Sequence, residues 1–389
     1  MKRFNSMAAL RRLDNKNNSK TKKRTIIACV VVLVIGILYF SFARFESTVS
    51  FNLISGTANI KPVTLRDKIN KLKTNGSTEL EYDGTVDNNL RYVGANPNNY
   101  VEFNGELWRI IGLMNNIEKE DGTTESLIKI RRASSFDNYS WDTTVSSENN
   151  GYGINQWGES DTYDGSDLMR ELNTDYLGTV TVGTDGKWYN GYNNSKTASM
   201  PSTTLSSDAQ SMIQTVKWNL GSPSNNNGAY DSSWKTNIIP NTSYTRERAN
   251  TNGKVCSSGG YCSDTVSRTS TWTGKVGLIY PSDYGYATSG GTTTNRAACL
   301  NTAMYNWDSS EVTDCKNNDW LLSYQWTLSP CASYTSGATR VFLISSTGYM
   351  GGFDASSTYD VFPVVFLKSS IFVTSGNGSS TNPYELTMF

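Results

Sequence analysis

Hydrophobic positions along the chain follow three different patterns. One run at 25–43, TIIACVVVLVIGILYFSFA, has 19 residues and no charge. Further along, apolar residues recur every second position in several short segments, as in strands, and every third or fourth position in a few others, as in amphipathic helices. Long stretches rich in Ser, Asn, Gly and Tyr separate these segments. The pattern predicts a membrane anchor followed by a loop-rich α+β region.

The uncharged run at 25–43 is long enough to cross a bilayer once. As a helix it spans roughly 28 Å at about 1.5 Å per residue, close to the hydrocarbon thickness of a membrane. The alternative is a cleaved secretory signal, whose apolar part normally has about 7 to 15 residues and ends at small residues, whereas Arg44 and Phe45 follow here. A pilin-like leader is a further alternative, although the segment lacks a Gly-Phe-Thr-Leu-Ile-Glu start. We interpret 25–43 as a transmembrane helix.

Charge is distributed unevenly around this segment. Residues 1–24 carry nine basic side chains and one acidic side chain, so the remaining chain holds 26 of the 35 basic and 34 of the 35 acidic groups. Because basic flanks stay on the cytoplasmic side, we predict a basic cytoplasmic tail at 1–24 and an extracellular location for residues 44–389. The basic side chains of the tail are explained by the membrane topology and by their attraction to anionic lipid head groups. We therefore predict the lipid bilayer as a partner through 25–43, and no nucleic acid.

The extracellular part is predicted to comprise a stalk and one domain. In the stalk, residues 44–78, the positions of Leu65, Ile69 and Leu72 share one helix face. Residues 79–389 show no internal repeat and are predicted to form one α+β domain. Its clearest element is a hairpin at 100–113 with an Asn-Gly turn. Further strands are predicted at 127–131, 275–280, 324–328, 340–345 and 361–367. Helices are predicted near 166–176 and at 209–220, the second after a capping box at 207–210. A short helical turn is predicted at 296–304.

Cysteine usage fits an exported domain, in which disulfides are permitted. One cysteine, Cys29, lies in the anchor, and five follow it: Cys256, Cys262, Cys299, Cys315 and Cys331. Connectivity cannot be deduced from sequence, but the two shortest loops pair Cys256 with Cys262 and Cys299 with Cys315. Cys331 is then a buried small hydrophobe, a catalytic thiol or a link between chains. With no histidine to activate it, we favour the first.

Two sets of side chains are candidates for a site. Five acidic residues could supply oxygen ligands to Ca²⁺: Glu159, Asp161, Asp164, Asp167 and Glu171. Their spacing is not that of an EF-hand, and acidic residues also stabilise a helix N-terminus, so we predict no metal site. Aromatic residues in polar loops are the stronger candidates, because such rings give large contact area at low entropy cost. The predicted ligand-binding residues are Trp141, Tyr152, Trp157, Trp188, Tyr189, Tyr284, Tyr286 and Trp307.

For any single one of these rings we favour core packing over ligand binding, because a loop-rich domain needs aromatic residues in its interior. Four tryptophans beside strands are assigned to the core: Trp108, Trp272, Trp320 and Trp326.

Several unusual strings carry a resemblance to a known family. They are NYVEFNGELWRIIGL (99–113), TWTGKVGLIYPSDYGYATSGG (271–291), CKNNDWL (315–321), YQWTLSP (324–330), STGYM (346–350) and GNGSSTNPYEL (376–386). Over about residues 80–389 the chain resembles a family of uncharacterised, N-terminally membrane-anchored ectodomains of Gram-positive gut bacteria. The resemblance implies a cell-surface protein with one anchor, and it implies no known activity.

The layout is also similar to the C-type-lectin-like fold in its formylglycine-generating (sulfatase-modifying) form. The shared features are a Trp-containing strand ending Ile-Ile-Gly-Leu, two helices before loop-rich sequence, late cysteines and a final strand. Formylglycine generators have two catalytic cysteines in an Arg-Gly-Gly-Ser-Trp context, but only Cys331 stands here. The Glu-Pro-Asn and Trp-Asn-Asp triplets of calcium-dependent lectins are missing too. The similarity therefore implies a fold and no particular function.

The chain contains no histidine, which excludes several catalytic classes. Ser-His-Asp and Cys-His nucleophile pairs and His-ligated zinc all need an imidazole. We therefore predict that the protein is not an enzyme and has no cofactor. The leading hypothesis is a cell-surface recognition or adhesion protein for a glycan or a surface protein. One alternative is a carboxylate-dependent glycoside hydrolase, since folding sets the separation of such carboxylates, and another is a structural envelope component.

Overall fold

The structure is a computed structural model that describes most of the chain beyond residue 48. The described residues are 49–53, 56–60, 62–135, 137–144, 152–159, 163–178, 188–190, 196–198, 204–221, 238–248, 269–308, 313–331 and 339–388. The predicted membrane segment at 25–43 lies outside them. No helix within the described ranges is long and apolar enough to span a membrane.

The chain divides into two compact units. The first, up to Pro62 and with Phe389, contains a hairpin of β1 (Val49–Leu53) and β2 (Gly56–Ile60). The second extends from Val63 to Met388. Its described helices are α1 (Leu65–Thr74), α2 (Asp167–Asn173), α3 (Ser207–Met212), α4 (Pro240–Glu247), α5 (Pro281–Tyr286) and α6 (Arg296–Cys299), with 3₁₀ turns at Met304–Asn306, Thr313–Cys315 and Asp319–Leu321.

Strands make up most of the regular structure in the second unit. They are β3 (Val63–Thr64), β4 (Leu80–Tyr82), β5 (Leu90–Tyr92), β6 (Tyr100–Phe103), β7 (Glu106–Glu118), β8 (Thr124–Arg132), β9 (Asn138–Ser140), β10 (Trp188–Asn190), β11 (Lys196–Ala198), β12 (Val216–Asn219), β13 (Thr271–Gly274), β14 (Val276–Gly277), β15 (Gln325–Cys331), β16 (Arg340–Ile344), β17 (Met350–Asp354), β18 (Thr358–Asp360), β19 (Val364–Leu367), β20 (Phe372–Ser375) and β21 (Tyr384–Thr387). The predicted α+β class is therefore confirmed.

The larger sheet has ten described strands, eight of them in the order β14-β19-β8-β7-β6-β21-β20-β3, with β5 beside β7 and β4 beside β5. The predicted hairpin forms its centre. Asn104 and Gly105 join β6 to β7 with φ angles of 59° and 72°, the left-handed values that a two-residue hairpin turn requires. In β6 the buried Val101 and Phe103 flank the exposed Glu102, whereas β7 is buried on both faces from Trp108 to Met114.

The smaller sheet has five described strands in the order β17-β16-β15-β18-β9. Strand β15 is buried along its whole length, and Val341, Leu343 and Ile344 of β16 are buried as well. Both sheets contribute to one continuous hydrophobic core. This arrangement leaves β17 as an edge strand of the described sheet, with β18 on the far side of β15.

Helix α1 packs on the larger sheet, whereas the sequence predicts a stalk there. The predicted apolar face is confirmed, because Leu65 and Ile69 are buried and Leu72 packs against the core. Thr64 caps the helix by accepting a hydrogen bond from the backbone N–H of Asp67 at 3.1 Å. The backbone N–H of Leu65 donates to the carbonyl oxygen of Ile371 at 2.8 Å. Residues from Val63 onward therefore belong to the second unit.

The predicted helix at 209–220 is wrong in its second half. Helix α3 is capped by Ser206 and ends at Met212, and residues 216–219 form β12, which pairs with β13. Val216 and Trp218 are buried while Lys217 and Asn219 are partly exposed, which is the alternation of a strand. β-branched and aromatic residues favour strands, and pairing with a distant strand overrides the weak helical period.

The cysteines agree in part with the predicted pairing. Cys299 and Cys315 form a disulfide bond with Cα atoms 5.4 Å apart, so this pair is confirmed. Cys256 and Cys262 lie outside the described residues. Cys331 is buried at the end of β15, and burial raises the pKa of its thiol to about 12. Because the thiolate is the nucleophilic form, this position suits a packing residue.

A buried charge network joins α5 to the larger sheet. The carboxylate of Asp283 lies 2.5 Å from Lys129 Nζ and 2.7 Å from Arg91 Nη1, and Arg91 Nε lies 2.9 Å from Asp83. All four side chains are almost fully buried. Burial alone would raise the pKa of Asp283, but the charges of Lys129 and Arg91 lower it below its usual range. The network thus holds compensated charges inside the core.

Candidate functional site

Most of the predicted ligand-binding rings are in the core. Five of the eight are at most 1% exposed: Trp141, Trp157, Tyr284, Tyr286 and Trp307. Tyr152 is partly buried, and the side chains of Trp188 and Tyr189 lie outside the described residues. Core packing is therefore the correct interpretation for these five rings, and the prediction that they bind a ligand is wrong.

The buried rings hold the loops together through packing contacts and hydrogen bonds. Trp141 packs against Trp157 with centroids 5.2 Å apart, and its Nε1 donates to the carbonyl oxygen of Thr327 at 3.2 Å. Tyr284 packs against Trp307 at 5.2 Å. The Tyr284 hydroxyl donates to the carbonyl oxygen of Gly348 at 2.7 Å. These rings supply the apolar contacts and buried hydrogen bonds that loops without regular structure need.

A different set of aromatic side chains lies at the surface of the smaller sheet. We name it the tyrosine platform and define it as Tyr305, Tyr324, Tyr349, Phe353 and Tyr359. Tyr324 is 43% exposed, and the other four are partly exposed. Ring centroids are 6.2 Å apart for Tyr305 and Tyr349, 6.3 Å for Tyr324 and Tyr359, and 5.3 Å for Phe353 and Tyr359. Such distances are those of interacting aromatic pairs.

Gly351 joins the two groups of platform rings. A Cβ atom added at Gly351 would lie 2.8 Å from Cε2 of Tyr349 and 3.0 Å from Cε2 of Phe353. Both rings therefore lie against the same backbone position of β17, and a larger residue would push one of them away. Trp326 supports the other end, because its buried ring lies 5.0 Å from Tyr359. The platform rings thus follow one another from Tyr305 to Tyr324, each next to another ring or to Gly351.

The platform also has hydrogen-bonding capacity that no described residue uses. The hydroxyls of Tyr324, Tyr349 and Tyr359 make no hydrogen bond to any residue that the structure describes. Partial burial raises the pKa of Tyr349 and of Tyr359 above the usual value, so both stay protonated at neutral pH. Asp308 acts electrostatically on Tyr349, and Asp354 acts on Tyr359. The Asp354 carboxylate is itself paired, because Arg340 Nε lies 3.2 Å from it.

An acidic groove lies beside β6 and β21 of the larger sheet. It has a volume of about 720 Å³ and is lined by Glu102, Asp208 and Glu385 together with apolar side chains such as Phe103 and Met212. Glu102 of β6 and Glu385 of β21 occupy paired positions on neighbouring parallel strands. Both are exposed. None of the three carboxylates forms an ion pair with a basic side chain of the described residues.

The described acidic residues between 159 and 171 lie in different surroundings. Asp161 lies outside the described residues, and Glu159 and Asp164 are exposed. Glu171 is buried in α2, where burial raises the pKa of its carboxyl to about 9. Within the described ranges, no group of three or more Asp, Glu, Cys or His side chains is arranged to hold a metal ion.

Asp142 is a buried carboxyl group beside Asp167 that organises the neighbouring loops, and it accepts a hydrogen bond from the backbone N–H of Asp167 at 3.3 Å. Asp142 accepts hydrogen bonds from the backbone N–H of Ile154 at 2.7 Å, from that of Thr144 at 3.1 Å and from the Tyr163 hydroxyl at 2.7 Å. Burial and, next, the Asp167 carboxylate raise the pKa of Asp142 to about 7. Because N–H and O–H donors already surround both Asp142 oxygens, the pair is better suited to loop attachment than to binding a cation.

No protein-family model, curated protein or solved structure matches this chain. The resemblance to membrane-anchored ectodomains and to the C-type-lectin-like fold therefore stays a prediction. Sequence reasoning also missed the tyrosine platform. Its members belong to different elements and are separated by up to 54 residues, from Tyr305 to Tyr359. The signal available beforehand was the tyrosine and glycine content of the STGYMGGF segment at 346–353.

Proposed function

We propose that this chain is a non-catalytic recognition or adhesion protein of the cell surface. In this proposal, residues 25–43 anchor the chain in the membrane, the N-terminus is cytoplasmic, and a C-type-lectin-like ectodomain contacts a glycan or a surface protein. The contact surface is the tyrosine platform. The proposal rests on the 19-residue uncharged run, on the unequal charge of the two sides, and on the platform.

The platform is the observation that carries the proposal. Tyrosine is enriched at binding hot spots, because its ring buries a large area while its hydroxyl makes a directed hydrogen bond. Here several tyrosines share one surface, and the hydroxyls of Tyr324, Tyr349 and Tyr359 are not used by the described residues. Packing on Gly351 and Trp326 fixes the rings in advance. A pre-organised surface loses less entropy on binding.

The experiment displays the full chain on bacterial cells and measures adhesion to immobilised glycans and proteins. Tyr324→Ala and Tyr349→Ala should reduce adhesion strongly, because each removes one platform ring. Tyr82→Ala is the matched control, since Tyr82 is 47% exposed, against 43% for Tyr324, and lies on β4 of the other sheet. Protease accessibility of the domain on intact cells tests the topology. Adhesion that is unchanged in both platform variants, or a domain found in the cytosol, would overturn the proposal.

A surface glycoside hydrolase is the second candidate, and the acidic groove favours it. Glu102 and Glu385 occupy adjacent positions in a cavity of about 720 Å³, and glycosidases use two carboxylates that are about 5 to 10 Å apart. Against this candidate, both side chains are exposed, whereas a general acid is normally desolvated to raise its pKa. The hydrolase would be supported if the parent protein releases reducing sugar from a polysaccharide and the variants Glu102→Gln and Glu385→Gln do not.

A further inference from the structure

We infer that a small cavity between α4 and β15 binds one halide-sized anion, such as chloride. The cavity has a volume of about 10 Å³, which is room for a single particle of about the size of a water molecule. Its wall combines apolar side chains with the polar side chains of Ser243, Arg246, Glu247 and Ser329. The site shares no residue with the tyrosine platform, and the inference does not rest on the proposed function.

Two buried hydroxyl groups of the cavity wall lack a hydrogen-bond partner. Ser243 of α4 is 4% exposed, and Ser329 of β15 is 7% exposed. Neither Oγ atom is hydrogen-bonded to any residue that the structure describes. Buried polar side-chain atoms are nearly always hydrogen-bonded to the protein or to a bound molecule. Two such hydroxyls, on the two elements that enclose one cavity, therefore indicate a ligand between them.

Arg246 brings a positive charge to the same cavity. It follows Ser243 by three positions in α4, so both side chains lie on one face of the helix. The Arg246 side chain is partly buried and forms no hydrogen bond or ion pair with the residues that the structure describes. Burial lowers the pKa of Arg246 below its usual value, because desolvation disfavours the charged form. Since arginine nevertheless stays charged in proteins, an anion in the cavity would supply the missing counter-ion.

Glu247 also lines the cavity, but its carboxylate is engaged elsewhere. Its Oε1 accepts from the backbone N–H of Ser282 at 2.9 Å, and its Oε2 accepts from the Ser282 hydroxyl. Arg248 Nη1 lies 3.6 Å from the same Oε2. The groups that remain available are thus O–H donors and a guanidinium. A cation would be repelled by Arg246, and a water molecule would satisfy the hydroxyls without compensating that charge. An anion does both.

The test measures thermal unfolding of the purified full chain, in a neutral detergent, in sodium chloride and in sodium gluconate at equal concentration. Gluconate is too large for the cavity. Arg246→Met and Ser329→Ala each remove one group that would bind the anion. Arg66→Met is the matched control, because Arg66 is also a partly exposed helical arginine but lies on α1. Broadening of the chlorine-35 NMR signal by the protein measures binding of chloride directly.

We expect chloride to stabilise the parent selectively. The Tm difference between the parent and Arg246→Met should be about 2 to 4 °C larger in chloride than in gluconate, once chloride exceeds its dissociation constant about tenfold. General effects of salt on unfolding act on parent and variants alike and cancel in this difference. Ser329→Ala should match the parent in gluconate, because its hydroxyl has no partner there, and should fall below it in chloride. Arg66→Met should respond to chloride as the parent does.

Three results would overturn the inference. The first is a parent whose Tm differences to the cavity variants are the same in both salts and which does not broaden the chloride signal, as expected of a cavity that holds only water. The second is chloride stabilisation that survives in both Arg246→Met and Ser329→Ala, which would place the ion elsewhere. The third is an equal loss of that stabilisation in Arg66→Met. If Arg246→Met does not fold, Ser329→Ala provides the same comparison, since it removes a single hydroxyl.

Discussion

Asp283 is the residue on which the buried charge network depends, and replacing it is the sharpest test of the core. Its carboxylate contacts Lys129 Nζ at 2.5 Å and Arg91 Nη1 at 2.7 Å, and it accepts from the backbone N–H of Tyr280 at 2.9 Å. The change Asp283→Asn keeps the size of the side chain and removes its charge. Arg91 retains Asp83 at 2.9 Å. The uncompensated charge therefore falls mainly on Lys129, which is 1% exposed.

The expected loss is about 3 to 5 kcal/mol of the free energy of unfolding. Removing one partner of a buried ion pair costs about that amount. A second argument sets the upper end of the expected loss, because Lys129 can become neutral by releasing its proton. From its ordinary pKa of 10.5, deprotonation at pH 7 costs about 5 kcal/mol. The amide oxygen of the introduced asparagine can still accept a hydrogen bond from Lys129, which favours the lower end.

Urea unfolding of the full chain, followed by tryptophan fluorescence, measures this loss. Glu385→Gln is the control, because it makes the same carboxylate-to-amide change at an exposed position and should stay within about 0.5 kcal/mol of the parent. The double variant Asp283→Asn with Lys129→Met removes the stranded charge and should recover part of the stability. A single variant as stable as the control, or a double variant no more stable than Asp283→Asn, would refute the reasoning.

Three further predictions concern stability. Burial raises the pKa of Glu247 to about 7 from 4.5, so its stabilising contribution is present below pH 4.5 and is lost as pH rises to 7. Urea unfolding from pH 4.5 to pH 7 should show the free energy of unfolding of the parent falling by up to about 3 kcal/mol relative to that of Glu247→Gln. A difference between the two proteins that does not change with pH would contradict this. Replacing Cys299 and Cys315 by serine opens a loop of 16 residues and should lower the free energy of unfolding by about 3 kcal/mol. The Tm of the variant should be below that of the parent without reductant, and the two Tm values should agree when reductant is added. Gly112→Ala places a Cβ 2.4 Å from the carbonyl oxygen of Leu90 and should cost about 1 to 3 kcal/mol in thermal unfolding; an unchanged Tm would show that β5 shifts freely.

Local patterns predicted the elements that depend on near neighbours. The Asn104-Gly105 turn joins two alternating segments, and such a turn fixes the register of a hairpin without help from the rest of the chain. The apolar face of α1 follows from the spacing of Leu65 and Ile69 for the same reason. The Cys299–Cys315 pair is also local, since its loop is short.

Long-range contacts decided the features that the sequence alone predicted wrongly. Val216 fits both a helical stripe and a strand, and only pairing with β13 selects the strand. Trp141 and Tyr284 stand in polar, glycine-rich sequence, yet the fold brings distant apolar groups around them.

The sequence by itself determined the candidate membrane segment, the unequal charge of its two sides, the exclusion of histidine-based chemistry and the α+β class, because each depends on composition or on neighbouring residues. The tertiary structure alone decided which rings are buried and which are exposed. Burial depends on what packs over a side chain, and that is set by segments far away in the chain. Tyr324, Tyr349 and Tyr359 form one surface because they lie in or directly before three strands of the smaller sheet, which the fold brings together.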